Sequence, residues 1–387
     1  MSIMEQYDRP PSELLLPNLR PATQAYDQME PQPTYYDRPM IKPPTWKWYI
    51  PGYFWLGGVA GGAATIGAVA RYLGGHGGRE TARHARYLSL GLGLACPALL
   101  IADLHRPERF HHMLRVFKVS SPLSVGTWIL TGFGAVSGAL AVRQAAEDGF
   151  LIRRESTPGR LARTLIPEAP LTVAHGLLGL GLGGYTGVLL AATAVPLWAA
   201  GGVLLGPLFE ATSLASGAGA LGLLELAFGK HDEAGARARQ TVEVVEAAST
   251  ISQVALVLAR DAAVTSRINR PLRSGRWGAL YRAGAVGGGM VAPLALRLVS
   301  RFVGPRAART LSGVGAGLSL LGALAERFAL VEAGKASARD PQAYQELTAG
   351  APGDARPTPR QQALNAPKSP AHQPRIAASD THATTAQ

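Results

Sequence analysis

Residues 171–228 read LTVAHGLLGLGLGGYTGVLLAATAVPLWAAGGVLLGPLFEATSLASGAGALGLLELAF, with no Lys or Arg and only two carboxyl side chains, those of Glu210 and Glu225. A helix needs about 20 mostly apolar residues to cross the hydrocarbon core of a bilayer. This stretch is long enough for two crossings, which we place at residues 171–194 and 197–228. Such a stretch is typical of a membrane protein.

Six more apolar runs of comparable length lie on either side. They cover residues 50–73, 87–102, 123–142, 242–258, 279–299 and 308–331. The run at 242–258 is the weakest, because Glu243 and Glu246 interrupt it. Aromatic residues that favour membrane interfaces, such as Trp48, Trp128 and Trp277, lie near the ends of the runs. The sequence therefore predicts an all-α integral membrane protein with about eight transmembrane helices.

The composition supports this prediction. Only 17% of the residues are charged, against about 25% in soluble domains. The net charge is +12, but the arginines lie between apolar runs and form no continuous basic stripe. This pattern favours anionic lipid headgroups over nucleic acid as the partner of the basic residues. Lys and Arg are about equally frequent on the two sides, so charge does not assign the orientation.

Polar segments flank the apolar middle. Residues 1–45 contain many prolines, which resist helix formation, and we expect an extended polar arm there. Residues 340–387 are rich in Pro, Ala, Gln and Thr, and we expect a disordered tail.

Ligands for bound redox cofactors are scarce in this sequence. Haem carriers of the membrane need pairs of inward-facing histidines, and only His175 lies well inside a span. Iron–sulfur clusters are held by several cysteines, and Cys96 is the single one. We expect that this protein holds no haem, no iron–sulfur cluster and no metal of its own.

Polar residues are concentrated at one membrane face. Successive spans run in opposite directions, so the starts of spans one and three and the ends of spans two and four reach the same side. The residues brought together there are Trp48, Tyr49, Asp103, His105, Arg106, Arg109, Ser124, Trp128, Tyr185 and Thr186. The other sides of these helices are almost wholly apolar. The combination is typical of a pocket with an apolar body and a polar mouth.

A quinone headgroup suits such a mouth, since it needs hydrogen-bond donors for two carbonyls and a proton acceptor for the quinol. Asp103, His105 and Tyr185 are the candidate catalytic residues. The other residues of this face are candidates for binding the quinone or docking a partner. An alternative for Asp103 is an ion pair with Arg106 or Arg109 that only fixes the loop.

Ionisable residues also occur in the second half of the protein, where membrane depth makes them costly and often functional. Glu210 is the candidate for a proton pathway, and its alternative role is that of a hydrogen-bonded packing residue. For Glu326 and Arg327 we expect a position near the interface.

Four segments carry a recognisable pattern: WKWYIPGYFWLGGVAGG at 46–62, DLHRPERF at 103–110, SPLSVGTW at 121–128 and GYTGVLLAATAVPLW at 184–198. LGPLF at 205–209 and LLGALAERF at 320–328 extend it. With these segments the sequence resembles the NrfD/polysulfide-reductase membrane-subunit family over about residues 45–345. Each motif is short, but their order and spacing together are specific.

The resemblance implies two four-helix bundles, residues 46–194 and 195–339, with a quinone or quinol bound in the first. It implies a subunit of the bacterial cytoplasmic membrane that exchanges electrons with a ferredoxin-like iron–sulfur subunit. Such a partner often connects to a molybdopterin enzyme. Two alternatives stay open. One is a purely structural anchor for soluble subunits, and the other, ranked third, is a transporter.

Overall fold

The computed structural model describes residues 39–229 and 232–349, and most of this part of the protein is helical. Eight of its helices are long and apolar enough to cross a membrane. They are α1 (Tyr49–Leu73), α2 (Gly75–Asp103), α3 (Pro122–Asp148), α4 (Glu168–Ala191), α5 (Pro196–Phe228), α6 (Glu233–Ala263), α7 (Gly275–Ser300) and α8 (Pro305–Ala338). The prediction of an all-α membrane protein with eight spans is confirmed.

Helix α1 lies at the centre of the helix packing, because its neighbours approach it at glycines. A methyl group on Gly179 of α4 would lie 2.5 Å from the Gly61 carbonyl oxygen of α1. A methyl group on Gly62 would lie 2.0 Å from the carbonyl oxygen of Ser213 on α5. Small residues of this kind let helix backbones touch, and in lipid such van der Waals packing replaces the hydrophobic drive between helices. Of the eight spans, α1 has the largest buried share.

The start of α5 is fixed by an aromatic joint. The helix is interrupted at Gly202, whose φ of 48° is a conformation that glycine adopts readily. Ahead of this break, the buried Trp198 donates its Nε1 hydrogen to the Leu330 carbonyl oxygen of α8 at 2.8 Å. Trp46 stacks on Trp198 with ring centroids 5.4 Å apart, and Lys335 of α8 binds the Trp46 carbonyl oxygen at 2.5 Å. The joint connects α1, α5 and α8 at one boundary.

Polar residues at the opposite boundary make α2 longer than the run predicted at 87–102. Arg83 and Tyr87 both bind Asp148 at the end of α3, at 2.7 and 2.8 Å. Arg86 binds Gln144 of α3 and Glu168 of α4, each at 2.7 Å. These pairs surround a polar cavity of about 500 Å³ between the ends of α1 to α4. Hydropathy misses the first turns of α2 because their charges are paired inside the protein.

Other boundaries also differ from expectation. Helix α6 (Glu233–Ala263) is longer than the run at 242–258, and α7 is wound as a π-helix over Leu280–Val291. Pro341–Ala349, at the start of the expected tail, forms a helix that buries Ala343. The expected arm at 1–38 and tail at 350–387 lie outside the described residues. The division into two bundles at 194/195 stays a prediction.

Replacing Gly62 by Ala should lower the free energy of unfolding by about 1–3 kcal/mol, because the added methyl group has no room beside the Ser213 carbonyl oxygen. The control is Gly134→Ala on α3, where the new methyl group would meet nothing within 4 Å. The measurement is thermal or denaturant unfolding of the purified protein in detergent. Equal stability of the two variants would contradict the close approach of α1 and α5.

Candidate functional site

The starts and ends of the first two spans meet at one boundary, as the alternating directions predict. The backbone N–H of Lys47, just before α1, donates to Asp103 Oδ1 at the end of α2 over 3.1 Å. Asp103 therefore satisfies a backbone donor at a helix N-terminus, where a negative charge is favourable. Among the described residues it makes this bond rather than the ion pair with Arg106 or Arg109 that the sequence left open.

The segment after Asp103 lies on the surface. His105, Arg106 and Arg109 are exposed, and a 3₁₀ helix spans Pro107–Leu114. Exposed positive charges and an imidazole at this boundary are available to a soluble partner. The predicted residues Trp48 and Tyr49 stack on each other at the same boundary with ring centroids 4.4 Å apart.

Ser124 and Trp128, predicted for quinone binding or docking, contact the connection between α2 and α3. The Ser124 hydroxyl accepts from the Lys118 N–H at 3.0 Å and donates to the Val116 carbonyl oxygen at 3.2 Å. Trp128 Nε1 donates to the same carbonyl at 3.4 Å. Both side chains hold the connection against the start of α3, so they shape the boundary rather than its interior.

Beneath this boundary the structure shows a pair of tyrosines. The hydroxyl oxygens of Tyr53 on α1 and Tyr185 on α4 are 2.5 Å apart. Tyr53 lies six residues after Lys47, which places the pair about 9 Å deeper at 1.5 Å per residue. The Tyr185 ring packs on Gly126 of α3, where a methyl group would lie 2.0 Å from the ring. Tyr53 is buried, whereas Tyr185 keeps an accessible edge.

Tyr53 was missed in the sequence, where it is grouped with the aromatic residues at the interface. The available signal was its spacing, one helical turn after Tyr49 and therefore on the same side of α1. What could not be read from sequence is the partner hydroxyl on α4.

Thr186 and Glu210 lie near Tyr185. The Thr186 hydroxyl and both Glu210 carboxylate oxygens are buried and have no hydrogen-bond partner among the described residues. A methyl group on Gly183 would lie 2.4 Å from Glu210 Oε2, so the carboxylate rests against the α4 backbone two residues before Tyr185. The alternative of a hydrogen-bonded packing role for Glu210 is not what the structure shows.

Glu326 and Arg327 correct an expectation. Both are fully buried, although the sequence suggested a position near the interface. The Arg327 guanidinium lies 3.6 Å from the centre of the Phe209 ring, and its Nη2 donates to the Phe209 carbonyl oxygen at 2.9 Å. Glu326 Oε2 accepts from Thr212 Oγ1 at 2.7 Å and from Gln253 Nε2 at 3.2 Å. Their position follows from the inward face of α8, which hydropathy alone does not reveal.

The site thus has two levels at one boundary. Asp103, His105 and the two arginines form a charged rim, and the tyrosine pair lies below it. Over residues 39–229 and 232–349, no three His, Cys, Asp or Glu side chains gather as metal ligands would. Hydrogen bonding and proton exchange are the chemistry that these side chains offer.

The sequence profile of the family described as "Polysulphide reductase, NrfD" matches residues 38–338. This protein belongs to the NrfD family. The NrfD protein is also similar to the C subunit of polysulfide reductase from Wolinella succinogenes, with 29% identity over 160 residues. That alignment covers 38% of this protein and 48% of the relative, so the match extends over about half the relative's length. The resemblance found in the sequence is confirmed at the level of the family.

The hydroxyl–hydroxyl bond of the tyrosine pair can be measured by a double-mutant cycle of Tyr53→Phe and Tyr185→Phe. We expect a coupling energy of about 0.5–1.5 kcal/mol in unfolding, because either single variant already removes the bond. Tyr72→Phe is the control, since its hydroxyl binds the Ala169 carbonyl oxygen at the other boundary. A cycle that closes additively would mean that the two hydroxyls do not interact.

Proposed function

We propose that this NrfD-family protein is the quinone-reactive membrane subunit of a multi-subunit oxidoreductase in the bacterial cytoplasmic membrane. The observation that carries the proposal is the Tyr53–Tyr185 hydroxyl pair, 2.5 Å apart and below a rim that contains Asp103. A hydroxyl with an accessible edge can bind a quinone carbonyl, and the apolar helices around it suit a hydrophobic ring and tail.

The chemistry follows from what a quinol must lose. Its oxidation to the quinone releases two electrons and two protons. Tyr185 hydrogen-bonds one quinone oxygen, and Asp103 or His105 receives a proton close to the aqueous boundary. The reverse reaction takes up two electrons and two protons through the same groups. Because the protein offers hydrogen-bonding side chains here, its role is to orient the headgroup and to move protons.

The electrons pass to a partner. We propose a ferredoxin-like iron–sulfur subunit, connected to a molybdopterin or other catalytic subunit, docked on the exposed rim of Trp48, Arg106 and Arg109. The relative is by its name one of several polypeptides of a polysulfide reductase, which supports an assembly of several subunits here as well. A partner at this boundary would place its cluster on the side where the tyrosine pair lies.

Glu210 is proposed to assist the proton transfer. Its carboxylate rests against the backbone of α4 beside Gly183 and lacks a hydrogen-bond partner among the described residues. A buried carboxyl group in this state can accept a proton from the quinol side and pass it on. Its role would show as slower turnover in Glu210→Gln without a loss of quinone affinity.

A purely structural anchor is the second candidate. The hydrogen bonds of Ser124 and Trp128 to the α2–α3 connection favour it, since they build a stable surface without quinone chemistry. Saturable quinone binding by the purified protein separates the two functions.

We expect purified protein to bind a menaquinone or ubiquinone analogue saturably, as followed by quenching of tryptophan fluorescence. Tyr185→Phe should weaken binding about three- to tenfold, the effect of one lost hydrogen bond. Tyr72→Phe should bind as wild type, because its hydroxyl lies at the opposite boundary. Linear, non-saturable quenching would favour the structural anchor.

In the co-purified complex, Asp103→Asn should lower quinol turnover at least about tenfold, because the amide is no proton acceptor. Assembly should survive, since the amide oxygen introduced at position 103 can still accept from the Lys47 N–H. Turnover at the wild-type rate, with His105→Gln equally active, would place the proton acceptor elsewhere.

A further inference from the structure

Helix α6 carries a polar residue every seven positions. These are Arg239, Glu246, Gln253 and Arg260. Glu246, Gln253 and Arg260 are buried, with 4%, 4% and 0% of their surface exposed. The 21 residues from first to last rise about 32 Å at 1.5 Å per residue. That length matches the hydrocarbon core of about 30 Å, so the repeat extends across the whole apolar layer.

A cleft opens at the first member of this repeat, on the boundary opposite the tyrosine pair. Arg239, Glu243, Glu246 and Ser312 contribute to its lining, and its volume of about 20 Å³ is enough for about one water molecule. Arg297 of α7 binds Glu246 Oε2 at 2.6 Å. Glu246 Oε1 is buried and has no hydrogen-bond partner among the described residues. A carboxyl group thus lies between the cleft and the interior.

The next level is the buried carboxyl of Glu326. It is bound on one oxygen by Thr212 and by Gln253, the third member of the repeat. Its other oxygen, Oε1, is buried without a partner among the described side chains. Between this level and Glu246, the buried hydroxyl groups come from α5, α6 and α8. They belong to Ser216, Ser249, Thr250 and Ser319.

The last level reaches the other boundary. Arg260 Nη2 donates to Asn269 Oδ1 at 2.5 Å and to Asp261 Oδ1 at 2.8 Å. The Asp261 side chain is 33% exposed, so this carboxyl reaches the surface. The Arg260 guanidinium carbon lies 5.7 Å from the centre of the Tyr281 ring, whose buried hydroxyl has no partner in the described part of the protein.

Packing alone does not account for this line of groups. Polar residues that only hold helices together are hydrogen-bonded to each other, since an unpaired polar atom at membrane depth is costly. Here every level has a buried atom without a partner in residues 39–229 and 232–349: Glu246 Oε1, Glu326 Oε1, Tyr281 Oη, and Arg260 Nε and Nη1. Atoms in this state are free to bind water, and the carboxyl oxygens can exchange protons with it.

We propose that α6 and α8 line a proton route across the membrane, from the cleft at Arg239 through Glu246 and Glu326 to Asp261. Each carboxyl accepts a proton from one side and releases it to the other, so no bond other than O–H forms or breaks. The fixed guanidiniums of Arg260 and Arg327 repel metal cations along the way, which leaves the proton as the conducted ion. The route is separate from the tyrosine pair and does not rest on the quinone proposal.

The test uses the full-length protein in liposomes that contain a pH-sensitive dye, with a potassium gradient and valinomycin to impose a membrane potential. We expect proton influx several-fold above that of protein-free liposomes. Glu326→Gln and Glu246→Gln should each lower this influx at least about tenfold, since each removes a carboxyl that the route requires. Gln253→Met, which removes no ionisable group, should lower it less and serves if the glutamate variants fail to fold.

The matched control is Glu225→Gln. Glu225 is an equally buried carboxyl on α5, but it binds Thr81 and His84 away from the α6 repeat, so influx should stay at the wild-type rate. Wild-type influx no faster than in protein-free liposomes would overturn the proposal. So would equal influx in all variants, an equal loss in Glu225→Gln, or a flux that follows a sodium gradient instead of the potential.

Discussion

The backbone approach of α1 to α4 and α5 is the constraint on which the other positions depend. At Gly61, Gly62 and Gly179 the helices come so close that no side chain fits between them. This approach fixes the rotation of α1, and with it the direction in which Tyr53 faces. Because Tyr185 lies on α4 and Ser213 on α5, the same contact sets the distance between the tyrosine pair and the buried charges of the second half.

The two sets of polar groups in the membrane differ in kind. The tyrosine pair consists of neutral hydroxyls close to one boundary, and it suits a ligand that arrives from the lipid. The groups along α6 and α8 are carboxyls and guanidiniums at successive depths, with Glu326 and Arg327 adjacent in sequence and both fully buried. Desolvated charges of this kind persist when neighbouring charges and hydrogen bonds compensate them.

Much of the fold was readable from the sequence, because apolar length and interfacial aromatics report directly on bilayer thickness. The eight spans and the meeting of Lys47 with Asp103 at one boundary were within reach. Two features were not. The early turns of α2 look too polar to be part of a span until Asp148 and Glu168 are seen to pair with them. Tyr53 and Glu326 depend on which side of a helix faces inward, and apolar helices show little periodicity.

The polar cavity at the ends of α1 to α4 has an electrical consequence. Its charged lining, including Arg86 and Glu168, admits water below the headgroup level, so the insulating layer is thinner there than elsewhere. The transmembrane voltage then falls over the shorter distance between this cavity and the tyrosine pair, and the local field is stronger. A charge that moves over that short path does work comparable to a full crossing, about 2.3 kcal/mol per 100 mV.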